Sequence, residues 1–157
     1  MEKTVVLVKP DGLQRGLIGE IIRRFERKGL KLLGIKMVRL TDEILREWYS
    51  HHVEKDFFDD LKQFMSWTPV VAMVWEGQEA IKVVRKIVGT RKGYEAEAGS
   101  IRGDYSLSGG NNVVHASDSK ESADKELDLL FSEDEVFGYE RIVEKLLHRR
   151  GDRRMAR

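Results

Sequence analysis

The sequence predicts an α+β fold, a ferredoxin-like α/β sandwich in which helices cover an antiparallel sheet of four strands. Two observations predict it. The chain has 157 residues, of which 41% are hydrophobic; this is enough for one core but not for two packed domains, so residues 1–157 are expected to form a single domain. Strand-like and helix-like segments follow in the order strand, helix, strand, helices, strand, helix, strand, helix, which favours a sheet with helices packed against it.

The first part of the chain predicts two strands around one helix. Residues 4–9 (TVVLVK) are a short β-branched run that ends in the turn-forming residues 10–12 (PDG). Apolar side chains then recur at helical spacing from Ile18 to Phe25, and Gly29 is a typical residue to end such a helix. Residues 30–40 are the second predicted strand.

The middle of the chain predicts two helices, a strand and a further helix. Thr41 and Asp42 are suited to cap a helix that runs to about His51. The apolar positions of a second helical segment are Phe57, Leu61, Phe64 and Met65. The most strand-like segment is 69–75 (PVVAMVW), and a helix is predicted over 78–88.

Residues 89–111 break this pattern, because they contain six glycines, mixed charge and few apolar positions. A loop of this length is uncommon inside a compact domain and usually has a function. After it, residues 112–115 predict a short strand and residues 119–131 a helix. A last helix over about 139–148 leads into a basic tail at about 149–157.

Composition and charge exclude several classes of function. Lys and Arg number 28 against 27 Asp and Glu, so the net charge of +1 gives no case for nucleic acid or a membrane surface as a partner. The chain has no cysteine, which excludes disulfides and thiol catalysis and fits a reducing compartment. Neither a signal peptide nor an apolar run long enough to span a membrane is apparent. We therefore expect a cytoplasmic protein.

One of the four histidines stands apart as a candidate catalytic residue. His51, His52 and His148 fall in polar or basic surroundings typical of the surface. His115 ends an apolar run, and a helix is predicted to begin within four residues of it, where free backbone N–H groups favour anions. A histidine at such a place is most often a hydrogen-bonded core or edge residue, so its position alone does not decide its function.

The helix after His115 offers a partner for the imidazole. Asp118 with Glu121 has the form of a capping box, which would fix the start of the helix. Ser119, Ser122 and Glu126 then form a polar stripe along the border of the apolar face. Glu126 is therefore expected to lie inward enough to accept a hydrogen bond from the histidine ring.

Three cations at turning points of the chain are candidates to bind phosphate, which phosphoryl transfer requires. Lys9 ends an apolar strand, Arg85 borders the apolar face of its helix, and Arg102 lies in GSIRGD, where glycines allow a ligand to approach the backbone. Each also has an ordinary structural explanation: an edge lysine, an arginine stem that covers core, and a surface arginine. The pattern GxxxxGK[ST] is absent, which argues against a Walker-type NTPase and leaves a route through a single histidine.

An ordered set of motifs resembles the nucleoside diphosphate kinase family. The motifs are VKPDG, RGLIGEII, the residues Phe57, Phe58 and Leu61, PVVAMVWEG, IRGD, NNVVHASDS and SADKE. They come in the order and spacing of the family and extend nearly to Leu147. The resemblance implies a ferredoxin-like core and a ping-pong exchange in which a histidine takes the γ-phosphate of one nucleoside triphosphate, such as ATP, and passes it to a nucleoside diphosphate.

The resemblance also implies roles for single residues. His115 matches the histidine that attacks through Nδ1, Glu126 the carboxylate that orients its other nitrogen, and Ser117 a group bonded nearby. The matches to phosphate and sugar contacts are Lys9, Arg85, Arg102 and Asn112. Tyr49 matches a neighbour of the histidine, Phe57 the aromatic plate under the base and Leu61 its lining; without the resemblance these three would be assigned to the core.

The chain departs from the family pattern in the glycine-rich segment. Where the family usually has a phosphate-binding threonine, an ungapped alignment gives Arg91, with Thr90 one residue earlier, so either residue could make this contact. Gly93 replaces the proline of the same turn. Gly109 stands where a bulky residue usually covers the second face of the base.

The resemblance further implies Mg²⁺, held through the phosphates of the nucleotide rather than by metal-binding side chains, and a homo-oligomer, either a hexamer or a tetramer, with the hexamer favoured. Two other functions remain open from the residues themselves. One is a regulatory module on the same fold that binds nucleotide without catalysis, and the other is a nucleic-acid binder that uses the tail at 149–157. The near-neutral net charge argues against the second.

Overall fold

A computed structural model of the chain describes residues 1–50 and 53–147. The strands are β1 (Glu2–Val8), β2 (Lys31–Val38), β3 (Val70–Gly77) and β4 (Val114–Ala116). They form one sheet in the order β2-β3-β1-β4, and every neighbouring pair is antiparallel. The prediction of an α+β sandwich with an antiparallel four-stranded sheet is therefore confirmed.

Helices connect the strands and cover the sheet. The α-helices of the described ranges are α1 (Pro10–Gln14), α2 (Ile18–Lys28), α3 (Asp42–Trp48), α4 (Phe58–Ser66), α5 (Ala80–Val88), α6 (Ile101–Tyr105), α7 (Lys120–Leu130) and α8 (Glu144–Leu147). Short 3₁₀ turns occupy Gly93–Glu95 and Glu133–Glu135. Within the ranges that the structure describes, none of these helices is long and apolar enough to cross a membrane.

The central strand β1 is buried on both faces, which explains its continuous apolar run. Val6 and Val8 belong to a core cluster with Ile21, Phe25 and Val84 of α2 and α5. Val5 and Leu7 point the other way, into a second cluster. The members of that cluster from α3, α4 and α7 are Leu45, Met65 and Leu130. The alternation of side chains along β1 thus divides the core into two layers, one on each face of the sheet.

Two of the predicted helix boundaries are confirmed. Gly29 follows α2 in the left-handed conformation, with φ 97°, which suits glycine because it has no Cβ. Thr41 caps α3, since its Oγ1 accepts a hydrogen bond from the N–H of Ile44 at 3.3 Å. This helix ends at Trp48, and the predicted end at about His51 lies outside the described residues.

The structure corrects two predictions about irregular segments. Residues 10–12 were expected to form a turn, but they begin α1, because a proline lacks the N–H that the first helical position leaves unpaired. Residues 89–111 were expected to be a loop, yet they contain α6. Ser100 caps this helix by accepting from the N–H of Gly103 at 3.0 Å, and Ile101 is fully buried.

Two further helices differ from the predictions, one in its capping residue and the other in its first residue. Ser119 rather than Asp118 caps α7, because the Ser119 Oγ accepts from the N–H of Ser122 at 3.1 Å, while Asp118 accepts from the Ser122 hydroxyl. The last helix was predicted from about residue 139, but it begins at Glu144. The preceding residues bind backbone carbonyls of the β2 region instead: the Tyr139 hydroxyl donates to the carbonyl of Leu32. The tail at 149–157 lies outside the described residues.

Candidate active site

His115 is the middle residue of β4 and lies opposite Leu7 of β1. Its side chain therefore faces the layer that contains α3 and α7, and 22% of it remains exposed. The ring atom Nε2 lies 2.8 Å from Oε1 of Glu126 on α7. The predicted pairing of these two side chains is thus present in the geometry.

Glu126 is 5% exposed and receives three hydrogen bonds. Its Oε1 accepts from His115 Nε2 and, at 3.1 Å, from the indole N–H of Trp48. Its Oε2 accepts from the Ser117 hydroxyl at 2.6 Å. Ser117 is in turn fixed to the central strand, because its Oγ accepts from the N–H of Val5 at 3.1 Å. These contacts hold a buried carboxylate in one orientation beside the histidine.

The same contacts define which nitrogen of His115 carries the proton. An ionised carboxylate only accepts hydrogen bonds, so the short contact to Glu126 requires an N–H at Nε2. In the neutral ring, Nδ1 then keeps its lone pair. The ring cannot rotate without breaking the bond to Glu126, so its orientation, with the lone pair on Nδ1, is fixed.

Trp48 contacts both His115 and Glu126, a position that the sequence did not predict. Its ring meets the His115 ring edge-on, with centroids 5.0 Å apart and an interplanar angle of 88°. Tyr49, the expected neighbour of the histidine, stacks on Trp48 at 5.6 Å. Burial, followed by the nearby charge of Glu126, raises the pKa of Tyr49 to about 12. The sequence does contain a signal for it, because Trp48 and Tyr49 form an aromatic pair at the end of a capped helix.

Lys9 and Asn112 form the second group of predicted site residues. Lys9 Nζ donates to Asn112 Oδ1 at 2.7 Å and to the carbonyl of Gly110 at 3.3 Å. Asn112 is 2% exposed, and its Nδ2 donates to the carbonyl of Arg91 at 2.8 Å. Lys9 directly follows β1, and Asn112 lies just before β4. The pairing of these two strands therefore brings the two side chains to the end of the sheet near His115.

Arg102 is buried and binds three backbone carbonyls. Its Nε, Nη1 and Nη2 donate to the carbonyls of Asn112, Gly89 and Val114 at 3.3, 3.1 and 2.7 Å. A guanidinium group has five N–H donors, so two remain for a ligand. Arg102 thus ties the glycine-rich segment to β4, a structural role that the sequence did not predict.

Burial and mutual repulsion destabilise the positive charges of this site. Burial, followed by the charges of Arg102 and Arg91, lowers the pKa of Lys9 to about 8, although the nearby charge of Asp11 opposes the shift. Burial, followed by the charges of Arg85 and Arg91, lowers the pKa of Arg102 to about 10. A cluster of cations that repel one another in this way is suited to bind a polyanion, which removes the repulsion.

The remaining predicted cations lie at the rim of the site. Arg85 is exposed and donates from Nη1 to the carbonyl of Ala116 at 3.4 Å. Thr90 and Arg91 are both exposed as well. The charge of Arg91 acts on Lys9 and Arg102, which places its guanidinium within electrostatic range of the two buried cations.

The two predicted base contacts lie on another element, at the start of α4. Phe57 is 48% exposed, and the Lys55 ammonium lies 5.8 Å from the centroid of its ring. Leu61 is partly buried against the core cluster of Leu45 and Met65. Phe57 thus keeps about half of its side chain exposed, whereas Leu61 contributes to packing.

Residues 2–136 match the family model described as nucleoside diphosphate kinase. The chain is 58% identical to a nucleoside diphosphate kinase of Parabacteroides distasonis over 140 residues, which cover 89% of this chain and 92% of that protein. A solved structure of the halophilic nucleoside diphosphate kinase from Halobacterium salinarum in complex with CDP is 43% identical, with a TM-score of 0.91 over 94% of this chain and 98% of that chain. The chain belongs to the nucleoside diphosphate kinase family.

As a member of the nucleoside diphosphate kinase family, the chain is a nucleotide-binding phosphotransferase. The structure gives a reason for one of its departures from the family motifs. A Cβ at Gly93 would collide with the backbone and side chain of Ser106, so this turn packs too closely for a larger residue. Gly109 differs, because a Cβ there would meet only Lys92 Cγ at 3.7 Å, an ordinary contact.

Proposed function

We propose that the chain transfers the γ-phosphate of a nucleoside triphosphate such as ATP to nucleoside diphosphates through a phosphohistidine at His115. The hydrogen bond from His115 Nε2 to Glu126 is the observation that carries this proposal, since it leaves Nδ1 as the attacking atom. The Nδ1 lone pair forms a bond to the γ-phosphorus, and the bond from that phosphorus to the bridging oxygen breaks. The diphosphate leaves, and a second diphosphate takes the phosphoryl group back by the reverse step.

Glu126 acts by holding the ring and by stabilising its charge. When Nδ1 bonds to phosphorus, positive charge develops on the imidazole, and the carboxylate 2.8 Å from Nε2 lowers the energy of that state. Ser117 and Trp48 keep the carboxylate in place. Tyr49 stacks on Trp48.

The cations neutralise the phosphates during transfer. Lys9, Arg85 and Arg102 are proposed to bind the phosphate oxygens, with Asn112 at a sugar hydroxyl. Of the two candidates in the glycine-rich segment, Arg91 is favoured over Thr90, because its charge already acts on Lys9 and Arg102. In-line phosphoryl transfer depends mainly on such positioning and charge neutralisation.

The base is proposed to stack on Phe57, with Leu61 as lining. A half-exposed aromatic ring binds any planar base without reading its edge. This supports a broad range of nucleotide substrates.

Mg²⁺ is proposed to enter the site bound to the phosphates of the nucleotide, where it would supply additional positive charge. The donor set fits this arrangement: the predicted nucleotide contacts are the cations Lys9, Arg85 and Arg102 and the amide of Asn112, which suit phosphate and sugar oxygens rather than a metal ion. Among the described residues, no three His, Asp or Glu side chains converge on one point.

A homo-oligomer, with a hexamer favoured, is proposed as the working form. β2 is an edge of the sheet, and it carries Ile35 and Met37, which are 48% and 62% exposed. Apolar side chains on an open strand edge are a typical contact between copies of a chain. We further propose that residues 1–157 act as one domain in the cytoplasm, which the absence of cysteine supports. Neither a membrane nor a nucleic acid is proposed as a partner.

Labelling with nucleotide tests the proposal directly. The protein is incubated with γ-labelled ATP, and the label is expected on the chain in a form that is stable to base and labile to acid. A nucleoside diphosphate added afterwards should remove it. A non-catalytic regulatory module would bind ATP and remain unlabelled, and that result would overturn the proposal.

A further inference from the structure

Val113, two residues before His115, has a backbone conformation that valine rarely adopts. Its φ is 70°, in the left-handed region, and its side chain is fully buried. A β-branched residue is strained there, because its Cβ substituents crowd the backbone. Such a conformation persists only when surrounding contacts enforce it, and it often serves the site nearby.

Three hydrogen bonds enforce this conformation. The N–H of Val114 donates to the carbonyl of Asn112 at 2.7 Å, which closes a tight turn centred on Val113. The carbonyl of Val113 accepts from the N–H of Lys9 at 2.9 Å. The N–H of Val113 donates to Oδ2 of Asp11 at 2.9 Å, across a separation of 102 residues. Asp11 thus supplies the side-chain contact that holds the turn.

The helix that carries Asp11 is fitted closely against the turn. A Cβ at Gly12, the next residue, would lie 2.8 Å from the Val113 carbonyl oxygen and 2.9 Å from Val8 Cγ1. Only a glycine allows the chain to approach this far. Within the described residues, Asp11 Oδ1 is buried and has no hydrogen-bond partner, so the contact to Val113 is the link between this carboxylate and β4.

The turn changes which face of the sheet the side chain of Asn112 reaches. In an unbroken strand, Asn112 and His115 would point to opposite faces, because they are three residues apart. Val113 and Val114 would likewise alternate, yet both lie in the same core cluster. The turn therefore places the Val113 side chain in the core. It also allows the Asn112 side chain to reach Lys9, whose Nζ lies 2.7 Å from Asn112 Oδ1.

We propose that Asp11 is a positioning residue for the transfer: by holding Val113 in the left-handed conformation, it directs Asn112 to the same side of the sheet as Lys9 and His115. The inference rests on the proposed function, in which Asn112 and Lys9 bind the nucleotide and His115 receives the phosphate. Asp11 itself touches none of the reacting atoms. It acts through the backbone of Val113.

Substitutions at both ends of this contact test the proposal, with ADP binding measured by calorimetry. Asp11→Ala is expected to weaken ADP binding about tenfold, because Val113 then relaxes from a conformation that L-residues avoid. Asp11→Asn retains an oxygen that accepts from Val113, and it should stay within about threefold of the unmodified chain. A loss as large as that of Asp11→Ala would overturn the role of the hydrogen bond.

A pair of double variants separates backbone conformation from packing. Glycine adopts positive φ without strain, so Asp11→Ala with Val113→Gly should recover most of the lost affinity. Asp11→Ala with Val113→Ala removes nearly as much buried volume as the glycine variant. Alanine keeps a Cβ and is therefore still strained at positive φ, so no recovery of affinity is expected. Equal recovery in both, or none with glycine, would overturn the proposal, as would unchanged binding in Asp11→Ala.

Labelling of the unmodified chain separates this inference from the proposed function. If the unmodified chain takes acid-labile label from ATP and binds ADP, the function holds, and the Asp11 and Val113 variants then decide the positioning role. If the unmodified chain takes no label, that result refutes the proposed function itself, independently of the variants. Thermal unfolding of each variant verifies that binding is measured on folded protein.

Discussion

His115 and Trp48 donate to the same oxygen of Glu126, His115 at 2.8 Å and Trp48 at 3.1 Å. The two rings also meet edge-on. The oxygen that orients the imidazole is therefore itself fixed by an indole N–H from another helix. This shared acceptor makes α3 part of the site, although none of its residues is proposed to touch phosphate.

Glu126→Ala is expected to slow phosphorylation of His115 by ATP roughly 10- to 100-fold, because a charge-assisted hydrogen bond contributes about 1.5–3 kcal/mol. Rapid-quench labelling measures this rate. Trp48→Phe retains the ring and loses the N–H, so a smaller decrease of about fivefold is expected. Trp67→Phe, at a tryptophan that is 62% exposed, is the matched control. An unchanged rate in Glu126→Ala would make the carboxylate structural.

His115→Ala should abolish exchange between ATP and other diphosphates and leave ADP affinity within about threefold, since His115 is proposed to bind the phosphoryl group only during transfer. A coupled exchange assay and calorimetry measure the two quantities. Turnover that survives in this variant would assign the nucleophile to another residue.

Nucleotide affinity should fall as the pH rises through about 8, the pKa of Lys9. The ammonium form attracts phosphate and predominates below this pKa; above it the neutral amine is favoured, and binding must first add a proton. Well above this pKa, nucleotide affinity should fall by at most about tenfold for each pH unit. Calorimetry of ADP binding between pH 7 and about 9.5 measures it.

Lys9→Arg is the control for this effect. Arginine stays charged over the whole range, so its affinity, although lower, should change little with pH. The same pH dependence in both proteins would assign the titration to another group.

Gly109→Val should tighten ADP binding several-fold, because partial burial of a valine against the base contributes about 1 kcal/mol. The change should lower KM rather than alter the chemical step, since the base contact is the same in the ground state and the transition state. The backbone permits the change, since Gly109 lacks a positive φ and a Cβ there has room. Gly110→Val, at a neighbour with equal space, is the matched control and should not tighten binding. Equal affinities at Gly109 would mean that another residue, such as the 90% exposed Leu107, already covers the base.

Light scattering should give a mass several times the 18.2 kDa of one chain. Replacing Ile35 and Met37 together by lysine places charge on the open edge of β2 and is expected to shift the mass towards one chain. Trp67→Lys, which changes another exposed apolar residue, should leave the mass unchanged. A fully active monomer at assay concentration would refute assembly as a requirement.

Much of the fold could be predicted from local patterns. Burial on both faces gives β1 and β3 unbroken apolar runs, and the cap at Thr41 and the glycine at Gly29 mark helix ends through their own side chains and backbone. The pairing of His115 with Glu126 could likewise be expected, because the strand and the helix that carry them are adjacent in the chain.

The remaining features depend on contacts that no local pattern contains. The left-handed Val113 is set by Asp11, which is 102 residues away, and the sequence around Val113 resembles an ordinary strand. Trp48 reaches Glu126 over 78 residues. The helix over Ile101–Tyr105 is only five residues long, too short for its periodicity to show among the surrounding glycines.

Two arginines of the candidate site donate hydrogen bonds to the outer edge of the sheet at β4. β4 bonds to β1 through alternate residues, as the bonds from Lys9 to Val113 and from Ser117 to Val5 show, so the carbonyls of the residues between them point outward. Those outward carbonyls, of Val114 and Ala116, accept from Arg102 and Arg85, and Arg102 also donates to the carbonyl of Asn112 in the turn before β4. A strand of another molecule that approached β4 would meet carbonyls already bonded to arginine, which disfavours extension of the sheet at this edge. On β2, the outer strand at the opposite side of the sheet, the carbonyls of Leu32 and Leu33 likewise accept hydrogen bonds, from the Tyr139 hydroxyl and the Phe137 N–H.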